Sequence, residues 1–113
     1  MDITTKQKNS INIISITGSL DSATSPQAQE LILPMIVPES TFVMDLSKCG
    51  YISSSGLRLL LMITKKLSSQ NGIWALAGVL DEVKDVIDIT GFSSLLVIYD
   101  TVEDAILALT NKQ

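Results

Sequence analysis

Three consecutive serines and a glycine are the residues of this chain with the clearest capacity for chemistry. Ser53, Ser54 and Ser55 precede Gly56, and the apolar residues 41–46 ahead of them predict a buried strand. Residues 57–63 behind them predict a helix with a broad apolar face. The hydroxyls therefore lie where a strand leads into a helix, beside free backbone N–H groups and the positive end of the helix dipole. That position favours a phosphate group.

One of these serines is expected to cap the helix, because a serine hydroxyl accepts a hydrogen bond from the N–H groups of the first turn. A cap needs only one hydroxyl. The others remain exposed or half-exposed beside a small glycine that lets another surface approach. The cluster is therefore a candidate binding or modification site as well as a structural one.

Several kinds of enzyme site are excluded by residues that the chain lacks. It contains no histidine, which excludes a Ser-His-Asp or Cys-His hydrolase. Ile52 stands where a nucleophile elbow centred on Ser54 would need glycine. Neither of the glycine-rich patterns typical of dinucleotide and P-loop nucleotide sites occurs. We expect no enzymatic activity and no cofactor.

A group of four acidic residues could suggest a metal site. Their spacing instead places most of them on the outer face of an amphipathic helix, early in which negative charge is favourable. We interpret this group as a solvent-exposed helix face and expect no metal; its members are Asp81, Glu82, Asp85 and Asp88.

Charge and hydropathy limit the class of partner. Twelve acidic and eight basic residues give a net charge of −4, which disfavours nucleic acid and anionic membrane surfaces. Every apolar run is interrupted before the ~18 residues that a spanning helix needs, and because the first residues lack a basic-then-apolar pattern we expect no signal sequence there. Cys49 is the single cysteine, so an internal disulfide is excluded, and we expect it to be a small apolar residue at the end of the third strand. We expect one cytoplasmic domain over residues 1–113.

The rest of the pattern predicts an α/β domain. Residues 2–7 and 11–17 predict a hairpin around the turn 8–10, with Ile11 and Ile13 on one face and Ile14 and Ile16 on the other. Residues 18–21 break this pattern. Strands and helices then alternate down to the C-terminus, which predicts a mixed, mostly parallel sheet of about five strands, with an antiparallel edge strand and about four helices.

The boundaries of the later elements follow from caps and breakers. Ser25 is predicted to cap a helix that has Pro26 at its first position and includes residues 27–33, and Pro34 is expected to kink or end it. The helix after the serines is predicted to run to about residue 69 and to bury Leu57, Leu60 and Leu61. Further elements are predicted as a strand at 73–77, a helix around 83–90 closed by Gly91, a strand at 95–99 and a helix opened by a capping box at 101–104.

Two segments together resemble the signature of the STAS family, which comprises bacterial anti-sigma factor antagonists and related domains of sulfate transporters. The first is residues 43–60, Val-Met-Asp-Leu-Ser-Lys-Cys-Gly-Tyr-Ile-Ser-Ser-Ser-Gly-Leu-Arg-Leu-Leu, similar to the family's strand, Asp-Leu-Ser, spacer and Asp-Ser-Ser/Ala-Gly-Leu. The second is residues 17–26, close to the family's Gly-x-Leu-Asp-x-x-x-x-Pro turn into the first helix. The resemblance implies a STAS-like fold over nearly the whole chain.

The resemblance also assigns roles to residues. It makes Ser54 the serine that a partner, both a serine kinase and an anti-sigma factor, would phosphorylate. Gly18, Leu20 and Asp21 become part of the adjoining surface, because their loop lies beside the serine loop. The partner-binding residues that we expect are Asp21, Ser53, Ser54, Ser55, Gly56 and Leu57. Ser53 departs from the family pattern, since it replaces the usual aspartate.

Three functions remain open from the sequence. The first is an anti-sigma factor antagonist that sequesters an anti-sigma factor serine kinase, releases it when phosphorylated and is restored by a serine phosphatase. The second is a non-phosphorylated STAS subunit that docks on a transporter or a signalling assembly; the serine at position 53 favours it and the intact Ser54 disfavours it. The third is a binder of a small ligand or nucleotide, or a weak hydrolase, for which no residue gives positive evidence.

Overall fold

The computed structural model describes residues 1–111. The β-strands are β1 (Asp2–Lys8), β2 (Ile11–Leu20), β3 (Thr41–Ile52), β4 (Ile73–Ala77) and β5 (Ile98–Tyr99). The α-helices are α1 (Ser25–Ile32), α2 (Ser54–Ser69), α3 (Asp81–Ile89) and α4 (Val102–Thr110); the 3-10 helices are Leu33–Met35 and Phe92–Leu95. Over residues 1–111, every helix falls short of the length and hydropathy that crossing a bilayer requires.

The five strands form one sheet in the order β1-β2-β3-β4-β5. β1 pairs with β2 antiparallel, and the other three pairings are parallel. Val43 of the central strand pairs with Ile13 of β2 and Ala75 of β4. The predicted mixed sheet with an antiparallel edge strand is thus confirmed, and residues 41–46 lie in its central strand.

Both faces of the sheet are covered, as the apolar pattern of β2 predicts. Ile11 and Ile13 pack in one core cluster with Ala105 and Leu109 of α4. Ile14 and Ile16 point to the other face, into a larger core that receives the buried residues of α1, α2 and α3. A strand that is apolar on both faces is an inner strand for this reason. The turn before β2 has positive φ at Asn9 (54°) and Ser10 (66°), as a tight hairpin requires.

β2 and β3 are longer than the sequence predicts. β2 does not stop at Thr17 but continues to Leu20, through a register irregularity at Gly18, whose φ is +106°. β3 continues past Leu46 to Ile52, because its polar second half pairs with the end of β2, up to the pair Leu20–Ile52. This extension carries the end of β2 directly to the start of α2.

Two other predicted boundaries are wrong. Ser25 is not the cap of α1 but its first residue, because its N–H already bonds to the carbonyl of Asp21 at 2.8 Å; Thr24 is the N-cap. The last strand is Ile98–Tyr99 and not residues 95–99: Leu95 belongs to a 3-10 helix and is 58% exposed. α1 does end just before Pro34, as expected.

The apolar stripe of α2 differs from the prediction at one position. Leu57 and Leu60 are buried, as predicted, but Leu61 is half-buried and Leu59 is buried instead. The buried positions follow helical spacing and end at Ile63 and Leu67; Leu61 lies at the edge of this stripe. The four acidic residues of α3 are exposed, as expected for a solvated helix face.

Candidate functional site

The serine loop, which we define as residues 53–56, begins where the central strand ends. Ser53 is the N-cap of α2: its backbone is extended (φ −98°, ψ 178°), and its hydroxyl accepts from the N–H of Gly56 at 3.4 Å. Its carbonyl accepts from the N–H of Leu57 at 2.9 Å. The expectation that one of the three serines caps this helix is confirmed. The cap leaves the hydroxyls of Ser54 and Ser55 free for other contacts.

Gly56 holds the first turn of α2 against the end of β2. A Cβ at position 56 would lie 2.5 Å from the carbonyl oxygen of Leu20 and 2.7 Å from Cγ1 of Ile52. The same carbonyl accepts a hydrogen bond from the N–H of Ser53 at 3.0 Å. Only glycine allows this approach, and the serine loop is therefore joined to the loop that follows β2.

Asp21 organises that second loop, residues 21–24. One of its carboxylate oxygens, Oδ1, accepts from the N–H of Ala23 at 2.9 Å and from the N–H of Thr24 at 3.1 Å. These two backbone hydrogen bonds hold the pKa of Asp21 below its usual value. The hydroxyl of Thr24 donates to the carbonyl of Ser19 at 2.8 Å and accepts from the N–H of Asp21 at 2.9 Å. Asp21 is therefore an ionised side chain that fixes its own loop.

The expected site residues differ in their exposure. Ser54 is exposed at the first position of α2, and Asp21, Ser53 and Ser55 are half-buried. Gly56 and Leu57 are buried; Leu57 is 2% exposed and lies in the larger core. The structure thus brings all six residues to one end of the sheet, with Ser54 outermost.

Sequence reasoning missed two neighbours of the serine loop. Arg58 is exposed, and with Ser55 it lines a shallow groove of about 160 Å³ between α1 and α2. Tyr51 is 54% exposed near the end of β3, where it pairs with Ser19. Arg58 lies four residues after Ser54, which is one turn of a helix, and that spacing could have identified it.

Cys49 lies in the interior. Its side chain is fully buried, and its thiol donates to the carbonyl of Tyr51 at 3.3 Å. Burial raises the pKa of this thiol, which keeps it protonated. Its expected role as a small apolar residue is confirmed, although it lies inside β3 because that strand is longer than predicted.

No metal site is found among residues 1–111, where no three His, Cys, Asp or Glu side chains come together in a suitable group. A second cavity of about 350 Å³ lies on the α4 face of the sheet. Its charged lining residues are Lys6, Asp45, Asp100 and Glu103. It shares no lining residue with the groove beside the serine loop, and it contains none of the expected site residues.

Comparison with known proteins identifies the family of the chain. The family model for the STAS domain matches residues 2–105. A relative from Bordetella bronchiseptica, named "Putative anti-sigma factor antagonist BtrV", is 31% identical over 109 residues, which are 96% of this chain and 94% of the relative.

Solved structures show the same fold. An anti-sigma-factor antagonist (STAS) domain protein from Planctomyces limnophilus superposes with a TM-score of 0.89 at 22% identity, covering 97% of this chain and 99% of that one. The Bacillus cell fate determinant SpoIIAA in its phosphorylated form superposes with a TM-score of 0.73 at 20% identity, covering 96% and 99%. With a family match over most of its length and a relative that aligns almost end to end, the chain belongs to the STAS domain family.

Proposed function

We propose that this protein is an anti-sigma factor antagonist: a binding module that sequesters an anti-sigma factor serine kinase and so frees a sigma factor. The observation that carries the proposal is the exposed Ser54 at the start of α2, beside the loop of Asp21. The support from relatives is a protein named "Putative anti-sigma factor antagonist BtrV", which is 31% identical over nearly the whole chain. The protein acts by binding, without catalysis, in the cytoplasm, and its partners are the kinase and a serine phosphatase, with neither nucleic acid nor membrane.

Phosphorylation of Ser54 is the proposed switch. The Ser54 hydroxyl oxygen forms a bond to the γ-phosphorus of ATP, the bond to ADP breaks, and the hydroxyl proton passes to a base of the kinase. The product carries about −1.5 to −2 charges. The N-terminus of α2 tolerates this charge, so the fold survives. The partner, however, would have to desolvate the phosphate beside the ionised Asp21, and it dissociates.

Ser53 takes over the helix-capping role of the aspartate that the family usually has at this position. It caps α2 through its hydroxyl, as an aspartate would through its carboxylate. What it does not supply is a negative charge next to the phosphorylated residue. The kinase of this protein must therefore recognise a neutral residue at position 53.

This same residue favours a second candidate function. A kinase that required the aspartate would not modify Ser54, and the chain would then be a non-phosphorylated subunit that docks on a transporter or a signalling assembly. Serine at position 53 is the one observation in favour of this alternative.

Mass spectrometry after incubation with the cognate kinase and ATP tests the proposal. The wild type should gain one phosphate at Ser54, the variants Ser53→Ala and Ser55→Ala should still gain it, and Ser54→Ala should not. Recovery of partners from the native cell should yield the kinase with the unmodified protein. If no serine of the loop is modified while a transporter or scaffold protein is recovered, the second function replaces the first.

A further inference from the structure

The spacing of Ser54 and Arg58 in α2 would allow the Arg58 side chain to reach a phosphate on Ser54. The two residues are four positions apart in α2, and side chains at that spacing lie on the same face, one turn apart. An anion placed four residues before a cation is the favourable order of such a pair. Arginine also presents a planar fork of donors that matches the oxygen atoms of a phosphate.

Arg58 has no other ionic partner in the part of the chain that the structure describes. Within residues 1–111 its exposed side chain makes no ion pair. α2 carries three basic residues and no acidic one, so no carboxylate on its own helix competes for the guanidinium. On the neighbouring α1, Glu30 is exposed and does not line the shared groove.

Polar and apolar residues line the groove beside Arg58, and none of them except Arg58 is charged; Ser54 lies next to the lining residue Ser55 but does not itself line the groove. The polar residues that line it with Arg58 are Ser22, Ser25, Gln29 and Ser55. In the adjoining loop, the Asp21 carboxylate accepts hydrogen bonds from Ala23 and Thr24, which hold it within its own turn. This groove therefore places no carboxylate against the Arg58 guanidinium.

The serine at position 53 strengthens this arrangement. An aspartate there would place a negative charge beside the phosphate and would attract the same guanidinium. Ser53 caps the helix without any charge. Because Ser53 carries no charge, it does not compete with a phosphate on Ser54 for the Arg58 guanidinium.

We propose that Arg58 binds, within the same molecule, the phosphate group carried by Ser54. Phosphorylation then has two effects on the partner surface: it adds a dianion, and it draws an exposed cation away from solvent and from the partner. This inference rests on the proposed function, because that function supplies the phosphate on Ser54. It adds Arg58 as a residue whose side chain responds to the modification.

The test uses protein in which phosphoserine is incorporated at position 54 during translation, so that it does not depend on any kinase. The second ionisation of the phosphate is followed by phosphorus NMR as the pH is varied. Arg58→Ala should raise its pKa by about 0.3 to 0.7 units, the size expected of an exposed ion pair. Arg58→Lys keeps the positive charge and should therefore raise the phosphate pKa by less than Arg58→Ala does. High salt should reduce the difference in phosphate pKa between the wild type and Arg58→Ala.

Lys65→Ala is the matched control, because it removes an exposed cation from the same helix, three turns away. It should leave the phosphate pKa unchanged. Thermal unfolding confirms that each variant is folded before it is titrated. Equal phosphate pKa values in wild type and Arg58→Ala would overturn the inference. A kinase that fails to modify Ser54 would instead contradict the proposed function, and the two failures are therefore distinguishable.

Discussion

The first turn of α2 rests at Gly56 on the carbonyl oxygen of Leu20, with only 2.5 Å between that oxygen and the position a Cβ would occupy. This contact joins the serine loop to the loop that carries Asp21. A partner that docks on Ser54, as we propose, would also contact the loop of Asp21, so the relative position of the two loops matters for the proposed site. The contact also makes position 56 sensitive to the smallest change of side chain.

Gly56→Ala should destabilise the fold by about 1–3 kcal/mol, in the range of an overpacked core, because the added methyl overlaps a backbone oxygen and a buried isoleucine. Gly50→Ala is the matched control, since a Cβ there meets no atom within 4 Å. Urea unfolding of both variants measures the difference. Equal midpoints for the two would show that the first turn of α2 can move away from Leu20.

Leu60→Ala should lower the free energy of unfolding by about 2–5 kcal/mol, because its fully buried side chain leaves a cavity. Leu61→Ala, a change of the same size at the half-buried neighbouring position, should cost clearly less. Urea denaturation again provides the measurement. A loss below about half a kcal/mol at Leu60 would mean that the buried face of α2 is assigned wrongly.

Ser53→Ala should cost about 1 kcal/mol of stability, as the loss of a helix cap does. Ser53→Asp should restore most of that loss, because aspartate is an equally good cap and its charge suits the helix N-terminus. Chemical denaturation at neutral pH compares the three proteins. If Ser53→Asp were as unstable as Ser53→Ala, capping would not be what serine contributes at this position.

Ser54→Ala cannot be phosphorylated, so it should stay bound to the proposed kinase partner when ATP is added. Ser54→Asp should bind that partner more weakly than the unmodified wild type does. One carboxylate imitates a phosphate poorly, so the second effect is partial. Neither change should alter thermal stability much, since Ser54 is exposed. Ser68→Ala and Ser68→Asp, at an exposed serine near the other end of α2, are the controls for binding measured by calorimetry. Equal affinities for Ser54→Asp and wild type would argue against an electrostatic switch.

Asp21→Asn should destabilise the protein near neutral pH and have little effect in acid. The folded protein holds the pKa of Asp21 below its ordinary value of 3.8, chiefly through the hydrogen bonds from Ala23 and Thr24. The charged form therefore adds stability above that value, and this contribution disappears as the pH falls through the lowered pKa.

Thermal unfolding of Asp21→Asn and wild type, compared at about pH 7 and again well below pH 3.8, measures this effect. The difference between the two proteins should shrink in acid. Asp85→Asn, at an exposed position of α3, serves as the control for removal of one charge. A difference for Asp21→Asn that does not depend on pH would show that its charge plays no part in holding the loop.

The sequence predicted the parts of this structure that depend on local pattern. The order of strands and helices, a serine cap for α2 and the position of the serine cluster at a helix start follow from periodicity and turn chemistry; that the cap is Ser53 comes from the structure. The second half of β3 could not be predicted, because its polar residues become a strand only by pairing with β2. The three successive leucines 59–61 left the edge of the α2 stripe ambiguous. The groove beside Arg58 depends on how α1 and α2 pack, which no local pattern reveals.

The pairing of β2 and β3 up to Leu20 and Ile52 has a consequence for the kinetics of recognition. Both loops of the site emerge from inner strands of the sheet and are held by hydrogen bonds within the chain, so we expect the surface around Ser54 to be ordered before a partner binds. Association should then be the docking of a preformed surface, with little free-energy cost for ordering the backbone. Differences in affinity among partners and among modified forms should therefore arise mainly in the lifetime of the complex rather than in the rate of its formation.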